Sequence, residues 1–346
     1  MKGKGHADAA RVAVVGGGSW GTALANLLAD KGYPVDLWVY EPEVRDQIET
    51  LRENQAFLPG VTLSENLRPS NDLDAVISEK DLVLLVVPSH LMRHVVMQMR
   101  DALPADAVLV SAAKGIENDT YLTMSGVIRE VLPGIRDDRL AILSGPSFAR
   151  EVARKVPTAV TAACKDPAVA QFVQAVFSCP YFRVYTHEDV IGVELGGAVK
   201  NVIAIASGII DGLGLGLNTR AALITRGLAE ARRLGVQLGA DSRTFSGLSG
   251  VGDLILTCTG SLSRNHSVGM KVGGGMRLKE ILAEMKMVAE GVKTARSIYF
   301  LSRKIDVEMP ICEAVYGILH EDVSPMEALS RLMGRSLKDE FDGWAA

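Results

Sequence analysis

VAVVGGGSWGTALANLLADKG, running from Val12 to Gly32, decides how the chain folds. Its first four residues are apolar and mostly β-branched, without the polar alternation of a half-exposed strand, as expected for a strand buried on both faces. Three glycines follow, and then a helical stretch rich in alanine and leucine. Gly16, Gly18 and Gly21 fit GxGxxG at this strand-to-helix turn. The first glycine permits the tight turn and the second lets the backbone approach a pyrophosphate. The third lets helix pack on strand, and the helix N-terminus faces the anion. The spacing alone is a weak signal; directly after a strand and at the opening of a helix it reads as a dinucleotide site.

Working outward, the second strand VDLWVY ends at Tyr40, and Glu41 lies twenty residues beyond Gly21. A carboxylate there accepts hydrogen bonds from a ribose and repels a 2′-phosphate, which favours NAD(H) and leaves NADP(H) open, since Arg45 one turn later can offset the repulsion. The plainer alternative is a solvated loop acid ahead of Pro42. Further β-branched or apolar runs mark strands at Leu82 to Val87, Ala107 to Val110, Leu140 to Leu143, Thr158 to Ala163 and Phe182 to Tyr185. Helices fall between them at Trp20 to Lys31, Ser89 to Arg100, Tyr121 to Leu132 and Pro167 to Phe177. This alternation predicts a Rossmann-type, doubly wound parallel sheet.

After about Asp189 the strand pattern ends. Helical periodicity predicts helices at His187 to Ile210, Thr219 to Leu234, Phe245 to Cys258, Ser263 to Val272, Leu278 to Met285, Val292 to Lys304 and Met309 to His320. The expected organisation is α/β: a dinucleotide-binding domain over 10–189, followed by an all-α substrate domain over 190–346. A chain of 346 residues suits two cores of ordinary size.

A net charge of −4 gives no global attraction to nucleic acid or an anionic membrane, so an anion must be held by a local site. The longest apolar run, Val199 to Ile210, is broken by Lys200, Asn201 and Ser207, and no membrane span is expected. Cys164, Cys179, Cys258 and Cys312 are scattered without zinc spacing, which points to free thiols and a cytoplasmic protein. His90 and His94 lack a third ligand and read as exposed helix residues, with no metal site expected. Apolar-rich helices in the second half point to a homodimer.

The chemistry centres on Lys200, an ammonium inside the apolar run VELGGAVKNVIAIASGI. Burial there lowers its pKa, as a general base near neutrality requires. Strand ends at SAAKGIE and SGPSFARE place Lys114, Gly145 and Ser147 at the carboxyl edge of the sheet, where ligands bind in open α/β folds. VVPSH adds Pro88 and Ser89. Taken singly, Lys200 can snorkel to water, Asp253 can cap a helix, and Arg264 can be a surface residue.

The ordered set GGGSWGTALA, VPSH, KGIE, SGPSFA, ELGGAVKNVIAIASGI, GLSGVGDLILTCTGSLSRN and VAEGVKT resembles the NAD(P)-dependent sn-glycerol-3-phosphate dehydrogenases in their bacterial form. The match runs over about Val12 to Met333. The resemblance implies that Lys200 is the catalytic acid/base, that Lys114 reaches cofactor and substrate, and that Asp253, with Thr257 one turn later, holds substrate and lysine. It implies that Ser263, Arg264 and Asn265 bind the substrate phosphate, Arg264 also lying at the cofactor. It places Ser19, Trp20, Tyr40, Ala149, Val288 and Glu290 against the cofactor. The implied reaction interconverts dihydroxyacetone phosphate and sn-glycerol 3-phosphate for the phospholipid backbone. Another small oxo-acid reductase on the same plan and a non-catalytic nucleotide sensor are the competing readings; the sensor needs no base, and Lys200 is present.

Overall fold

The computed structural model describes residues 10–285 and 289–340. They form two compact units, one of residues 10–113 and 124–190, the other of 114–123 with the described residues from 191 onward. The short segment Lys114–Thr123, which a linear division at residue 189 leaves in the first domain, belongs to the second unit.

The first unit is an eight-stranded sheet: β1 Val12–Val15, β2 Val35–Trp38, β3 Leu67–Ser70, β4 Leu82–Leu85, β5 Val108–Ser111, β6 Leu140–Ser144, β7 Thr158–Ala163 and β8 Phe182–His187. Their order is β3-β2-β1-β4-β5-β6-β7-β8. β1 lies between β2 and β4, with Val12 paired to Val35 on one side and Leu82 on the other. The strand order therefore reverses at β1, the switch point where doubly wound sheets bind nucleotides. β1, β4 and β5 are wholly buried, in keeping with their unbroken apolar runs. Leu24, Leu27 and Leu28 of the helix Ser19–Asp30 join Val12, Val14 and Leu37 in one core.

Several features of the first unit depart from the sequence reading. The sheet is mostly rather than wholly parallel, because β7 pairs antiparallel with β6 before β8 pairs parallel with β7. β3, reading LRPS, is absent from the sequence reading; Pro69 argues against a central strand, and β3 lies at the sheet edge, where proline is tolerated. The helix expected from Tyr121 begins instead at Met124, and Tyr121 has a left-handed φ of 62° that no helix accommodates. Pro167–Phe177 forms as read, with Pro167 in its first turn and the Asp166 side chain accepting from the Ala168 N–H.

The second unit is helical. Its axis is Val190–Gly212, 23 residues long; His187, expected to open it, instead closes β8. With its polar residues averaged in, an 18-residue window of this helix has mean hydropathy 1.5 and is apolar and long enough to cross a membrane, yet it is entirely buried within the protein. Leu195, Val199, Val202 and Ile203 meet Leu234, Phe245, Leu254, Ile298 and Cys312 in the second core. Around it lie Gly216–Gln237, Asp253–Thr259, Arg264–Gly273, Leu278–Glu284, Glu290–Lys304, Pro310–His320 and Pro325–Met333. The stretch read as one helix from Phe245 to Cys258 is three pieces: a 3-10 turn to Ser246, a π-helical turn at Leu248–Gly252, and the α-helix from Asp253.

Two buried contacts tie these helices together. The Glu230 carboxylate accepts the backbone N–H groups of Ile311 (2.7 Å) and Cys312 (3.1 Å), satisfying the open N-terminus of Pro310–His320. Burial pushes Glu230 up to about 7. Helices Val190–Gly212 and Arg264–Gly273 cross so closely that a Cβ on Gly208 would stand 2.0 Å from the His266 carbonyl, and one on Gly269 2.0 Å from that of Ile205.

Candidate active site

The glycine loop follows β1 directly. Gly16 has φ +123°, and a Cβ there would lie 2.7 Å from the Val86 carbonyl oxygen; one on Gly21 would lie 1.9 Å from that of Gly16. Both glycines are thus required by the turn and by helix-to-strand packing. Gly18 differs. A Cβ on it would meet nothing within 4 Å, so no protein atom demands a glycine at that position. Gly18 also provides no side-chain cap for Ser19–Asp30. Open space beside Gly18 and a helix N-terminus without a side-chain cap fit a pyrophosphate. The Ser19 hydroxyl donates to the Phe57 carbonyl at 2.5 Å, and the Trp20 ring lies 6.5 Å from that of Phe182.

At the end of β2, Tyr40 is 76% exposed. Glu41 is partly exposed and precedes Pro42–Leu51, a helix the sequence reading missed; it makes no capping bond. Arg45 pairs with Asp46 at 2.7 Å, which occupies the cation that was expected to offset Glu41. After β6, Gly145 has φ +143° and lies against Val160, and Ser147 Oγ donates to the Gly145 carbonyl at 3.0 Å. Ala149 opens the short helix Ala149–Ala153.

The second unit brings together residues far apart in sequence. Asp253 is 1% exposed, and its two carboxylate oxygens are divided between two lysines: Lys200 Nζ donates to Oδ1 and Lys114 Nζ to Oδ2, each at 2.6 Å. Lys200 also donates to Thr257 Oγ1 at 2.8 Å, and the Thr257 hydroxyl donates to the Asp253 carbonyl at 2.6 Å. Glycines make this possible. A Cβ on Gly196 would lie 2.5 Å from the Ser249 carbonyl, and one on Gly250 2.1 Å from that of Phe245, so the π-helical turn nests on the long helix and delivers Asp253 beneath Lys200. Such turns recur at functional sites.

Two lysines on one carboxylate leave a formal surplus of one positive charge in a buried place. Burial is the largest influence on Lys200 and lowers it; Asp253 opposes that, and Lys114 adds to it, for a result of about 8. Lys200 can therefore give or take a proton near neutral pH, and the surplus charge suits an oxygen that becomes negative.

One turn beyond Asp253–Thr259, Ser263 caps the helix Arg264–Gly273, its Oγ accepting from the His266 N–H at 3.2 Å. The Arg264 and Asn265 amides have no partner among the described residues. Arg264 is exposed and makes no hydrogen bond or ion pair among the described residues; desolvation lowers its pKa and Glu290 raises it. The Asn265 side chain is committed to the protein, donating to Asn201 Oδ1 (2.9 Å) and accepting from the Gly291 N–H (3.0 Å). Asn201 in turn donates to the Lys114 carbonyl at 3.5 Å. Sequence reading passed over Asn201, whose only signal was its place beside Lys200. His266 Nε2 lies 2.8 Å from Asp211, which also pairs with Arg220. Val288 lies outside the described residues. No group of three or more potential metal ligands occurs among the described residues.

A glycine loop at the switch point of a 3-2-1-4-5-6 strand order, together with a helical unit built around a buried lysine–carboxylate–lysine cluster, defines a two-unit NAD(P)-dependent dehydrogenase. Residues 11–170 match the family model for the N-terminus of NAD-dependent glycerol-3-phosphate dehydrogenase, and residues 189–330 the model for its C-terminus. The chain belongs to that family and is an oxidoreductase. It is 59% identical over 331 residues to glycerol-3-phosphate dehydrogenase (NAD(P)+) of Syntrophobacter fumaroxidans, covering 96% of this chain and 97% of the relative. The enzyme of the same name from Citrifermentans bemidjiense is 58% identical over 332 residues, 96% of this chain and 99% of that one. The crystal structure of glycerol-3-phosphate dehydrogenase from Coxiella burnetii is similar with TM-score 0.91 and 39% identity, covering 95% of this chain and all of the other.

Proposed function

We propose that the protein interconverts dihydroxyacetone phosphate and sn-glycerol 3-phosphate, with Lys200 as the general acid of ketone reduction and the general base of alcohol oxidation. The observation that carries this reading is the Asp253 carboxylate shared between Lys200 and Lys114 at 2.6 Å each. When bound, the dinucleotide supplies the hydride to C2 or accepts it. The protonated Lys200 gives its proton to the forming alkoxide, and solvent restores it. Lys114 adds positive charge to the same oxygen. Asp253 holds both ammonium groups in place, while Thr257 restricts the direction of Lys200 Nζ.

The phosphate is held by Arg264 and the open amides at the start of Arg264–Gly273, a planar fork of donors beside a helix N-terminus. Ser263 and Asn265 act there through capping and anchoring that helix. Gly145 and Ser147 are proposed substrate contacts of the first unit. Among cofactor residues Gly16, Gly18, Ser19, Trp20, Gly21, Tyr40, Glu41, Ala149 and Glu290, Glu41 favours NADH, because its carboxylate is uncommitted and Arg45 is engaged by Asp46. An uncommitted arginine also favours a phosphorylated substrate over another small oxo acid. The wider reading is a cytoplasmic homodimer serving the phospholipid backbone; the four unbridged cysteines support the compartment.

The test is to follow NADH and NADPH oxidation separately with dihydroxyacetone phosphate and with an unphosphorylated small oxo acid. Rapid oxidation of NADH with the phosphorylated ketone is expected. Turnover of the oxo acid alone rejects the substrate assignment.

A further inference from the structure

The segment around Asn54 carries no recognisable nucleotide motif, yet it grips the glycine loop. Asn54 is fully buried. Its Nδ2 donates to the Gly17 carbonyl and to Thr22 Oγ1, both at 2.8 Å, while its Oδ1 accepts the Phe57 N–H at 3.0 Å. Thr22, also fully buried, donates its hydroxyl to the same Gly17 carbonyl at 3.1 Å. The Phe57 carbonyl receives the Ser19 hydroxyl, closing a ring of contacts around the turn.

Two donors on one carbonyl oxygen use both of its lone pairs. That matters because the Gly17–Gly18 peptide joins two glycines and is the softest plane in the loop. In a trans peptide the carbonyl and the following N–H point in opposite directions. With Gly17 O held inward, the Gly18 N–H points away from Asn54; it has no partner among the described residues and lies beside the open space at Gly18. Rotation of this plane would replace that donor with a carbonyl, which repels a pyrophosphate. Val39 limits the movement further, since a Cβ on Gly17 would stand 2.9 Å from its Cγ1.

We propose that Asn54 and Thr22 are positioning residues of the dinucleotide site: they pin the Gly17 carbonyl inward so that the loop presents the Gly18 amide to the pyrophosphate. The proposal rests on reading the glycine loop as the dinucleotide site. It makes affinity for NADH and for NADPH depend equally on two side chains that touch neither, because the pyrophosphate is common to both.

Fluorescence titration of the full chain with NADH and NADPH tests it, alongside the KM for dihydroxyacetone phosphate at saturating cofactor. Asn54→Asp keeps the shape but loses the donor, Thr22→Val loses the hydroxyl, and Thr22→Ser keeps it. Asn54→Asp and Thr22→Val each remove two hydrogen bonds of this network and should each weaken both dinucleotides about tenfold, whereas Thr22→Ser binds as the wild type does. The KM for the ketone should stay constant. Wild-type dinucleotide affinity in Asn54→Asp and Thr22→Val overturns the proposal. So does a loss in Thr22→Ser equal to that in Thr22→Val, or a parallel rise in the ketone KM, either of which marks a general structural role. If Asn54→Asp does not fold, the two Thr22 variants decide. Failure of the wild type to bind either dinucleotide would instead reject the loop assignment on which the proposal stands.

Discussion

The glycine loop of the first unit and the lysine cluster of the second both await negative charge, by opposite means. The loop uses backbone, the Gly18 amide above all, within residues 16–22, adjacent in sequence, and carries no formal charge. The cluster uses formal charges drawn from Lys114, Lys200 and Asp253, with 139 and 53 residues separating the paired groups. Partial charges on a helix terminus can hold an anion without titrating. A buried ammonium cannot be held so cheaply, and desolvation brings Lys200 down to about 8. On the proposed function, the same burial cost gives the lysine a useful proton, and binding and proton transfer fall to different physics in different units.

Removing the proton donor should separate the two regions most sharply. Lys200→Ala is expected to lower kcat by about 10²–10⁴-fold, the usual worth of general acid/base catalysis, while the Kd for NADH is unchanged. A matched loss of cofactor affinity would show that the regions are not separable in this way. Arg264→Ala comes next: loss of charge-assisted bonds worth about 1.5–3 kcal/mol should raise the KM for dihydroxyacetone phosphate about 10- to 150-fold. Turnover of unphosphorylated dihydroxyacetone should change far less; equal damage to both substrates would remove the arginine from the phosphate site.

The pH profile sharpens the comparison without mutation. Burial lowers Lys200, so the acid form is lost as pH rises through about 8. Ketone reduction should therefore fall above that point, by about tenfold per pH unit at most, and alcohol oxidation should rise through it. Dinucleotide binding by uncharged amides should cross the same range without a step. Initial rates in both directions from pH 6 to 10 check the sign; a reduction rate that climbs through pH 8 contradicts Lys200 as the acid.

The smallest effect belongs to Glu41, the one formal charge beside the loop that the coenzyme reading uses. A repulsion of about 1–2 kcal/mol corresponds to roughly 5- to 30-fold preference for NADH. Glu41→Ala should reduce that ratio of kcat/KM without altering the KM for the ketone. An unchanged ratio would leave Glu41 as a solvated helix-start acid.

Sequence by itself determined the contiguous features. The buried runs at β1, β4 and β5, the glycine turn after Val15, and the helix opened by Pro167 each depend on neighbours in the chain. So does the family resemblance, because its motifs are short and ordered. Tertiary structure decided what depends on distant partners. β3 exists because its neighbour β2 offers an edge that accepts Pro69, and 114–123 joins the helical unit although it follows a strand of the sheet. Asn265, implied by resemblance as a phosphate ligand, has its amide spent on Asn201 and Gly291, and Asn54 holds a loop more than thirty residues away. Periodicity along a chain records which face is apolar. It carries no record of which buried donor meets which acceptor, and that pairing arises only when packing brings both out of water together.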